Sequence, residues 1–431
     1  MREMKDSGIE WIGAIPINWD IAQFKKILIR NDGGLWGNDP SGQDDILVLR
    51  STEQTIDGKW DIQSPAYRDL SNVSNVQEYL VKCGDLLITK SSGSDLHIGK
   101  TTIVDELIES LHCSFSNFIQ RLRVCSKMNP RYYWYILNSN IARGQFVYLQ
   151  NSTSGIGNIN SKNINEIEVP IPPLDIQHTI ADYLDRKCSQ IDAIIARQQE
   201  VIKKLKAYKL SVITEAVTKG LNPNVPMKDS GVEWIGKIPE HWKVMKFGRC
   251  AMVKSNLVNP DDYADYPQIS PDSIEKNSGR IFEYKTVKES GVISWNHLFF
   301  QGQIIYSKIR PMLNKVAIAP FDGLCSADMY PIETSNNAQF LVYMMLSDCF
   351  TSQVGLVTEN RVKMPKINQN ELNAIMVVIP PRSEQEIISK YLQKECFLID
   401  ARIDRKQKLV GKLIDYKKSL IYEVVTGKKE V

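Results

Sequence analysis

Two stretches of this chain are near-copies. MKDSGIEWIGAIPINW at 4–19 returns as MKDSGVEWIGKIPEHW at 227–242, with 12 of 16 residues identical. A longer pair follows. IPPLDIQHTIADYLDRKCSQIDAIIARQQEVIKKLKAYKLSVITEAVT begins at Ile171, and IPPRSEQEIISKYLQKECFLIDARIDRKQKLVGKLIDYKKSLIYEVVT begins at Ile379. They align without a gap through Cys188/Cys396, Ile191/Ile399, Asp192/Asp400, Tyr208/Tyr416 and Glu215/Glu423. Such a repeat restricts the fold more than composition does, because what one half forms the other must form too. The chain is two tandem half-proteins.

The repeats are 223 residues apart at the start of each half and 208 apart at the end, and the 208 register already holds at Tyr135/Tyr343 and Ser139/Ser347. All net length change lies in between. A shared frame carrying two unlike inserts suits a molecule that makes one kind of contact twice with different specificity.

Composition sets the class without naming the task. At 431 residues, 43% apolar and 24% charged, the chain has room for roughly two to four domains of ordinary globular make-up. No apolar run approaches the roughly 18 residues of a membrane span, and no signal peptide opens the sequence, so a cytoplasmic protein is expected. The eight cysteines include no CxxC pair, and Cys125, Cys188 and Cys396 sit inside apolar stretches. They read as small buried hydrophobes rather than a disulfide or zinc framework. A net charge of +3 does not by itself imply a polyanionic partner, so any nucleic-acid surface must be local.

The IPP segments open the longest predicted helices. Pro172 and Pro173 suit a helix entrance, as do Pro380 and Pro381, and nothing breaks the pattern until Gly220 or Gly427. A heptad reading places Leu184, Ile191, Gln198, Leu205 and Val212 at one seam position and Cys188, Ile195 and Ile202 at the other, flanked by Ile194, Val201 and Tyr208. The second copy gives Leu392, Ile399, Lys406, Leu413 and Leu420 with Cys396, Ile403 and Val410. About 40 residues make roughly 60 Å of helix. An apolar stripe that long must be buried, and the obvious partner is the other copy.

Antiparallel pairing would place the halves at opposite ends of a rod, since the first helix leads directly into the second half through TKGLNPNVP. The terminal EVVTGKK resembles the EAVTKG that elsewhere precedes MKDSG, as though the chain were a circle cut before Met1. An approximate internal two-fold axis is expected.

Inside the halves the pattern is mixed. Strand-like runs at 46–51, 85–90, 303–308 and 315–320 alternate with turn residues, and one short helix is predicted in each half, at PRYYWYILNSNIARGQF and AQFLVYMMLSDCFTSQV. The Tyr132–Tyr135 cluster beside Arg121, Arg123 and Arg131 could form a stacking platform for bases. Its aligned partners Phe340, Leu341, Val342 and Tyr343 favour a place in the core.

The MKDSG(I/V)EWIG(A/K)IP copies, the GDLLITK and GQIIYSKIRPMLNKVAIA segments and the paired IPPxxxQ-opened helices together resemble the specificity (S) subunit of type I restriction-modification enzymes, over the whole chain. The resemblance implies an α/β (α+β) fold: two target recognition domains of mixed strands and short helices, joined by two long helices in an antiparallel coiled coil with internal pseudo-two-fold symmetry. The implied domains are residues 1–172 and 220–380 for target recognition, with 173–219 and 381–431 as conserved helical spacers. It further implies a bacterial defence protein with no catalytic centre of its own. Each half would read one part of a two-part site on double-stranded DNA, and the helices would set the unread spacer. Two methyltransferase (M) subunits and restriction (R) subunits would be its partners, and S-adenosylmethionine, ATP and Mg would belong to them, with no cofactor or metal on this chain.

Short hydrogen-bonding side chains beside cations, at strand exits and in later loops, are the mix needed for base edges and phosphates. In the first half the candidates are Arg50, Lys90, Ser91, Ser92, Ser94, Lys100, Ser152, Thr153, Asn158 and Lys162; in the second they are Ser307, Lys308, Arg310, Lys315, Asn360, Arg361, Lys363 and Lys366. Trp11, Trp234, Tyr208 and Tyr416 are candidates for partner binding. The tryptophans, with Trp19 and Trp242, could instead be core plugs, and the core reading is preferred.

Other chemistries fit poorly. GSDLHIGKT at 93–101 approaches a P-loop, but five residues rather than four separate Gly93 from Gly99, and TTIVDELI starts as a strand where phosphate binding needs a helix N-terminus. There is no [N/D]PP[Y/F] tetrapeptide of an adenosylmethionine-dependent enzyme and no HExxH among the five histidines. A scaffold without DNA contact is the remaining non-enzymatic alternative, distinguishable by salt-dependent duplex binding.

Overall fold

Each half closes on itself. The computed structural model describes residues 2–94, 97–149, 157–361 and 363–431. In each half the N-terminal repeat forms a hairpin, Met4–Asp6 with Ala14–Pro16 in the first and Met227–Asp229 with Lys237–Pro239 in the second. The strand that follows pairs antiparallel with the strand just before the long helix: Asp20–Gln23 with Glu168–Ile171, and Lys243–Lys246 with Met376–Ile379. Beginning and end of each half are thereby hydrogen-bonded together. The insert between them can vary without opening the frame.

The two inserts, unlike in sequence, have the same central topology. A four-stranded antiparallel sheet runs in the order Leu28–Gly33, Ile119–Val124, Leu86–Thr89, Thr101–Ile103 in the first half. In the second half it runs Met252–Val253, Met329–Glu333, Ile304–Ser307, Val316–Ile318. Beside it lies a second sheet containing one parallel pair, Ser114–Phe115 on Ile46–Leu49 or Gly323–Cys325 on Pro267–Ile269. The strand runs expected from sequence all appear here, at 46–49, 86–89, 304–307 and 316–318.

The short helix expected in each half is two helices. Pro130–Leu137 is followed by Asn140–Leu149, and Ala338–Leu346 by Asp348–Thr358. The break falls at Ser139 and Ser347, whose hydroxyls donate back to the carbonyls of Ile136 and Met344, satisfying the preceding turn and competing with its continuation.

The long helices span Leu174–Lys219 and Arg382–Val425, and each runs out at a left-handed glycine, Gly220 (φ +75°) and Gly427 (φ +72°). Their IPPxxxQ openings are built alike. Buried Gln177 accepts from the Asn129 backbone N–H (2.8 Å) and donates to the Pro172 carbonyl (2.8 Å). Buried Gln385 does the same with Asn337 (2.8 Å) and Pro380 (2.9 Å). Asn129 and Asn337 in turn cap the first short helix. One glutamine thus ties the helix entrance to the domain before it.

The chain divides into two compact units, Met1–Arg197 with Leu409–Val431, and Gln198–Lys408. Each contains a piece of both long helices. The first unit's core joins Trp19, Phe24, Tyr132 and Tyr133 to Leu184 and Cys188 of the first long helix and Leu420 and Val424 of the second. The second unit's core joins Trp242, Phe247, Phe340 and Phe350 to Ile213, Val217 and Leu392. Within the second unit the helices run antiparallel, with Lys406 Nζ on Gln198 Oε1 (2.9 Å) and Lys209 on Asp400. The predicted seam positions Gln198 and Lys406 therefore face one another as a polar layer.

Trp19 and Trp242 are core residues, as preferred from sequence, and each sits against the glycine that ends a long helix: Trp19 by Gly427, Trp242 by Gly220. The tyrosine cluster is also core. Tyr132 donates to the Val425 carbonyl (2.8 Å) and Tyr135 to Asp185 (2.7 Å). Arg131 bridges Asp182 and Asp185 (2.6 Å each), Arg121 pairs with Asp32, and Arg123 with Asp85 (2.5 Å). A stacking platform is thereby ruled out, because its rings and cations hold the long helix and the sheet.

Six of the eight cysteines are buried, Cys125 is partly buried and Cys83 exposed, and none is in a disulfide. Burial pushes the Cys113 thiol up to about 12, which makes it inert. No single helix among the described residues is long and apolar enough to cross a membrane.

Candidate nucleic-acid interface

The central strand Leu86–Thr89 is buried along its length, and the chain leaves it at Lys90. Ser91–Ser92 then forms a ribbon with Gly157–Asn158, Ser92 opposite Gly157 and Ser91 opposite Asn158. The Ile159 N–H donates to the Lys90 carbonyl (2.8 Å). Ile159 is buried, which anchors the ribbon to the core. Asn160 next caps the helix Ser161–Glu166 by accepting from the Asn163 N–H (2.9 Å), and this helix carries the exposed Lys162. Two loops far apart in sequence, each a candidate on its own, form one element.

The second unit repeats the construction. Ile304–Ser307 is buried, and the chain leaves it at Lys308. Ile309 bridges to Lys366, the Ile367 N–H donates to the Lys308 carbonyl (2.9 Å), and the Arg310 N–H donates to the Pro365 carbonyl (2.7 Å). Buried Ile367 matches Ile159, and Asn368 caps the helix Gln369–Ala374 as Asn160 caps its counterpart. Lys90-Ser91-Ser92 and Lys308-Ile309-Arg310 therefore occupy the same place on the same scaffold.

The structure sorts the candidate cations. Lys100 is buried, and its ammonium donates to the carbonyls of Ser51 (2.6 Å) and Gln54 (2.7 Å); burial lowers its pKa. It is corrected to a structural residue, since a charge enclosed this way cannot reach a phosphate. This also removes the lysine that a P-loop would need, and Thr101–Ile103 is a strand, as expected. Arg50 pairs with buried Glu53 (2.6 Å), Lys315 with Asp272 (3.0 Å), Lys366 with Asp328 (3.0 Å), and Arg361 with Glu371. Each of these four is paired with a carboxylate. Lys90, Lys162, Lys308, Arg310 and Lys363 have no acidic partner at ion-pair distance among the described residues. Lys308 lies over the Tyr330 ring at 5.4 Å. Burial, and after it the Lys308 charge, hold the His297 pKa below its ordinary value.

Of the remaining candidates, Ser94 is exposed and its N–H donates to Ser92 Oγ (3.3 Å), Ser307 is buried with its hydroxyl on the Ile309 carbonyl (3.0 Å), and Asn158 and Asn360 are exposed. Ser152 and Thr153 lie outside the described residues. Tyr208 and Tyr416 are both exposed at equivalent helix positions. Trp234 is exposed as well, which corrects the preferred core reading for that residue, while Trp11 is partly covered by Gly144 and Tyr148. Sequence reading named IPPxxxQ but missed the role of Gln177 and Gln385, and it missed Ile159 and Ile367. Their equivalence at the 208 register was the available signal. No group of His, Cys, Asp or Glu suited to a metal occurs among the described residues.

Comparison with known proteins agrees with this doubled construction. Residues 52–204 and 239–405 match the family profile described as type I restriction modification DNA specificity domain. The EcoDI specificity subunit of Escherichia coli is 29% identical over 399 residues, covering 89% of this chain and 82% of that protein. A putative specificity subunit of a Methanocaldococcus jannaschii type I enzyme, MjaX, is 26% identical and covers 97% and 96%. A chain solved in work on complex assembly and conformational transition of the type I R-M system shares the fold, with a TM-score of 0.69 at 12% identity, covering 95% and 98%.

Proposed function

Because this chain belongs to the type I restriction-modification DNA specificity family, of which it is a non-catalytic member, we propose that it reads a bipartite site on double-stranded DNA. Each half reads one part. The paired helices set the length of the unread spacer, and the chain recruits two methyltransferase subunits and restriction subunits, which bring adenosylmethionine, ATP and Mg.

One observation carries this reading. The same ribbon, closed by the same hydrogen bond onto Lys90 or Lys308, presents Ser91 and Ser92 in one half and Ile309 and Arg310 in the other. Constant scaffold with changed side chains is what two different readouts require. The unpaired cations beside each ribbon suit phosphate contact, which positions a reader without specifying sequence. For recruitment, Tyr208 and Tyr416 expose the same side chain twice on the repeated helices.

The test is an exchange of residues 20–160 for those of another family member, followed by mapping of methylated sites in cells carrying the full system. One part of the site is expected to change and the other to persist. Simultaneous change of both parts would refute one-half, one-part reading.

A further inference from the structure

We propose that Arg310 is a specificity-determining residue that reads a guanine in the part of the site assigned to the second half, an inference that rests on the bipartite reading above. The argument begins with the backbone. Arg310 has φ +44° and ψ +54°, in the left-handed region that glycine or asparagine adopts with less strain. It is held there on both sides. Its N–H donates to the Pro365 carbonyl (2.7 Å), its carbonyl accepts from the Leu313 N–H (2.8 Å), and the next residue, Pro311, is buried. Across the ribbon Met364 is also left-handed, at φ +46°. Backbone strain imposed by the surroundings clusters at ligand-binding sites.

The side chain is the only part of Arg310 left unused. It is exposed and has no acidic partner among the described residues, whereas Arg361, Lys366 and Lys315 around the same element are each neutralised by Glu371, Asp328 and Asp272. A guanidinium presents a rigid donor fork that matches the O6 and N7 acceptors of guanine in the major groove. In the first half the structurally equivalent position is Ser92, whose single hydroxyl accepts or donates and does not select guanine. The two parts of the site should therefore differ at the base pair that this position faces.

The experiment selects bound duplexes from a random library with the full chain assembled with its modification subunits. The part belonging to the second half is the one that survives exchange of residues 20–160. Wild type is expected to return a guanine there. R310G should relax that base pair by about 10- to 100-fold and leave the other positions intact, with R310K intermediate. Replacing that guanine by 7-deazaguanine, which lacks the N7 acceptor, should weaken wild type and not R310G. Glycine relieves the left-handed backbone, so R310G should melt no lower than wild type, which separates lost reading from lost folding. Equal weakening on every sequence, with a shallower salt dependence, would make Arg310 a phosphate contact and overturn the assignment. A bipartite consensus untouched by R310G would overturn it alone, while no bipartite consensus from wild type would defeat the reading of function on which it rests.

Discussion

Lys209 Nζ donates to both carboxylate oxygens of Asp400, at 2.9 and 2.8 Å. Their counterparts 208 residues away, Lys417 and Asp192, form the same pair at 2.6 and 2.8 Å in the other unit. The repeated sequence is thus read out twice as one helix-to-helix lock, and the copies differ in burial: the Lys209 side chain is 6% exposed and that of Lys417 20%.

Asp400→Asn leaves the enclosed Lys209 ammonium without its counter-charge, and removing one member of a buried pair costs about 3 kcal/mol. Asp192→Asn should cost less, because Lys417 is more exposed and can turn to water. Thermal melting of the full chain should rank wild type, Asp192→Asn, Asp400→Asn in falling order. Equal melting temperatures would mean that neither pair contributes to the packing of the helices.

The division between free and engaged cations predicts two kinds of lysine variant. Lys90→Gln and Lys308→Gln should each reduce the slope of log affinity against log salt by about one, with little change in melting. Lys100→Gln should leave that slope unchanged and lower the melting temperature, because the carbonyls of Ser51 and Gln54 lose their donor. The reverse pattern would place Lys100 on the DNA.

Spacer length should follow helix length. Val217, near the end of the first long helix, is buried in the second unit's core, so insertions are placed away from it, after Arg197 and after Lys408, at the boundaries of the units. Matched seven-residue insertions keep the heptad phase and add about 10 Å, or roughly three base pairs of duplex at about 3.4 Å each. Methylated-site mapping should show both half-sites unchanged and the gap longer. An unchanged gap would mean that the helices do not set it.

The glycines that end the long helices lie one residue out of the 208 register, each against a repeat tryptophan, and are not equally crowded. A Cβ at Gly220 would meet Trp242 at 3.1 Å, while one at Gly427 would meet Pro16 at 2.5 Å and Trp19 at 2.9 Å. Gly220→Ala should therefore cost about 1 kcal/mol for its left-handed backbone, and Gly427→Ala about 2 to 4 kcal/mol once overpacking is added. Chemical denaturation of the two variants should separate them in that order.

The repeats, the heptad seam and the helix ends were legible because each is a local signal. Gly220 and Gly427 stop their helices by backbone conformation alone, and Leu184, Ile191, Leu392 and Ile399 mark a buried stripe by spacing. The preference for tryptophan in the core held for Trp19 and Trp242 and failed for the exposed Trp234, because what packs on a side chain is not a local signal. The double helix at 130–149 was not legible, because whether Ser139 interrupts a helix or rides on it depends on what packs around it.

The sequence by itself determined that the molecule is one frame built twice, with apolar stripes long enough to demand a partner helix. Tertiary structure alone decided which cations are free to meet a ligand. Lys90 and Lys100 sit ten residues apart in one candidate segment, yet Lys90 is half-buried, without an acidic partner among the described residues, and leads a ribbon completed by Gly157–Asn158, while Lys100 is enclosed by carbonyls from Ser51 and Gln54. A side chain's charge is written in the sequence, but its burial and its partners depend on residues brought from far along the chain, and those decide what the charge can do.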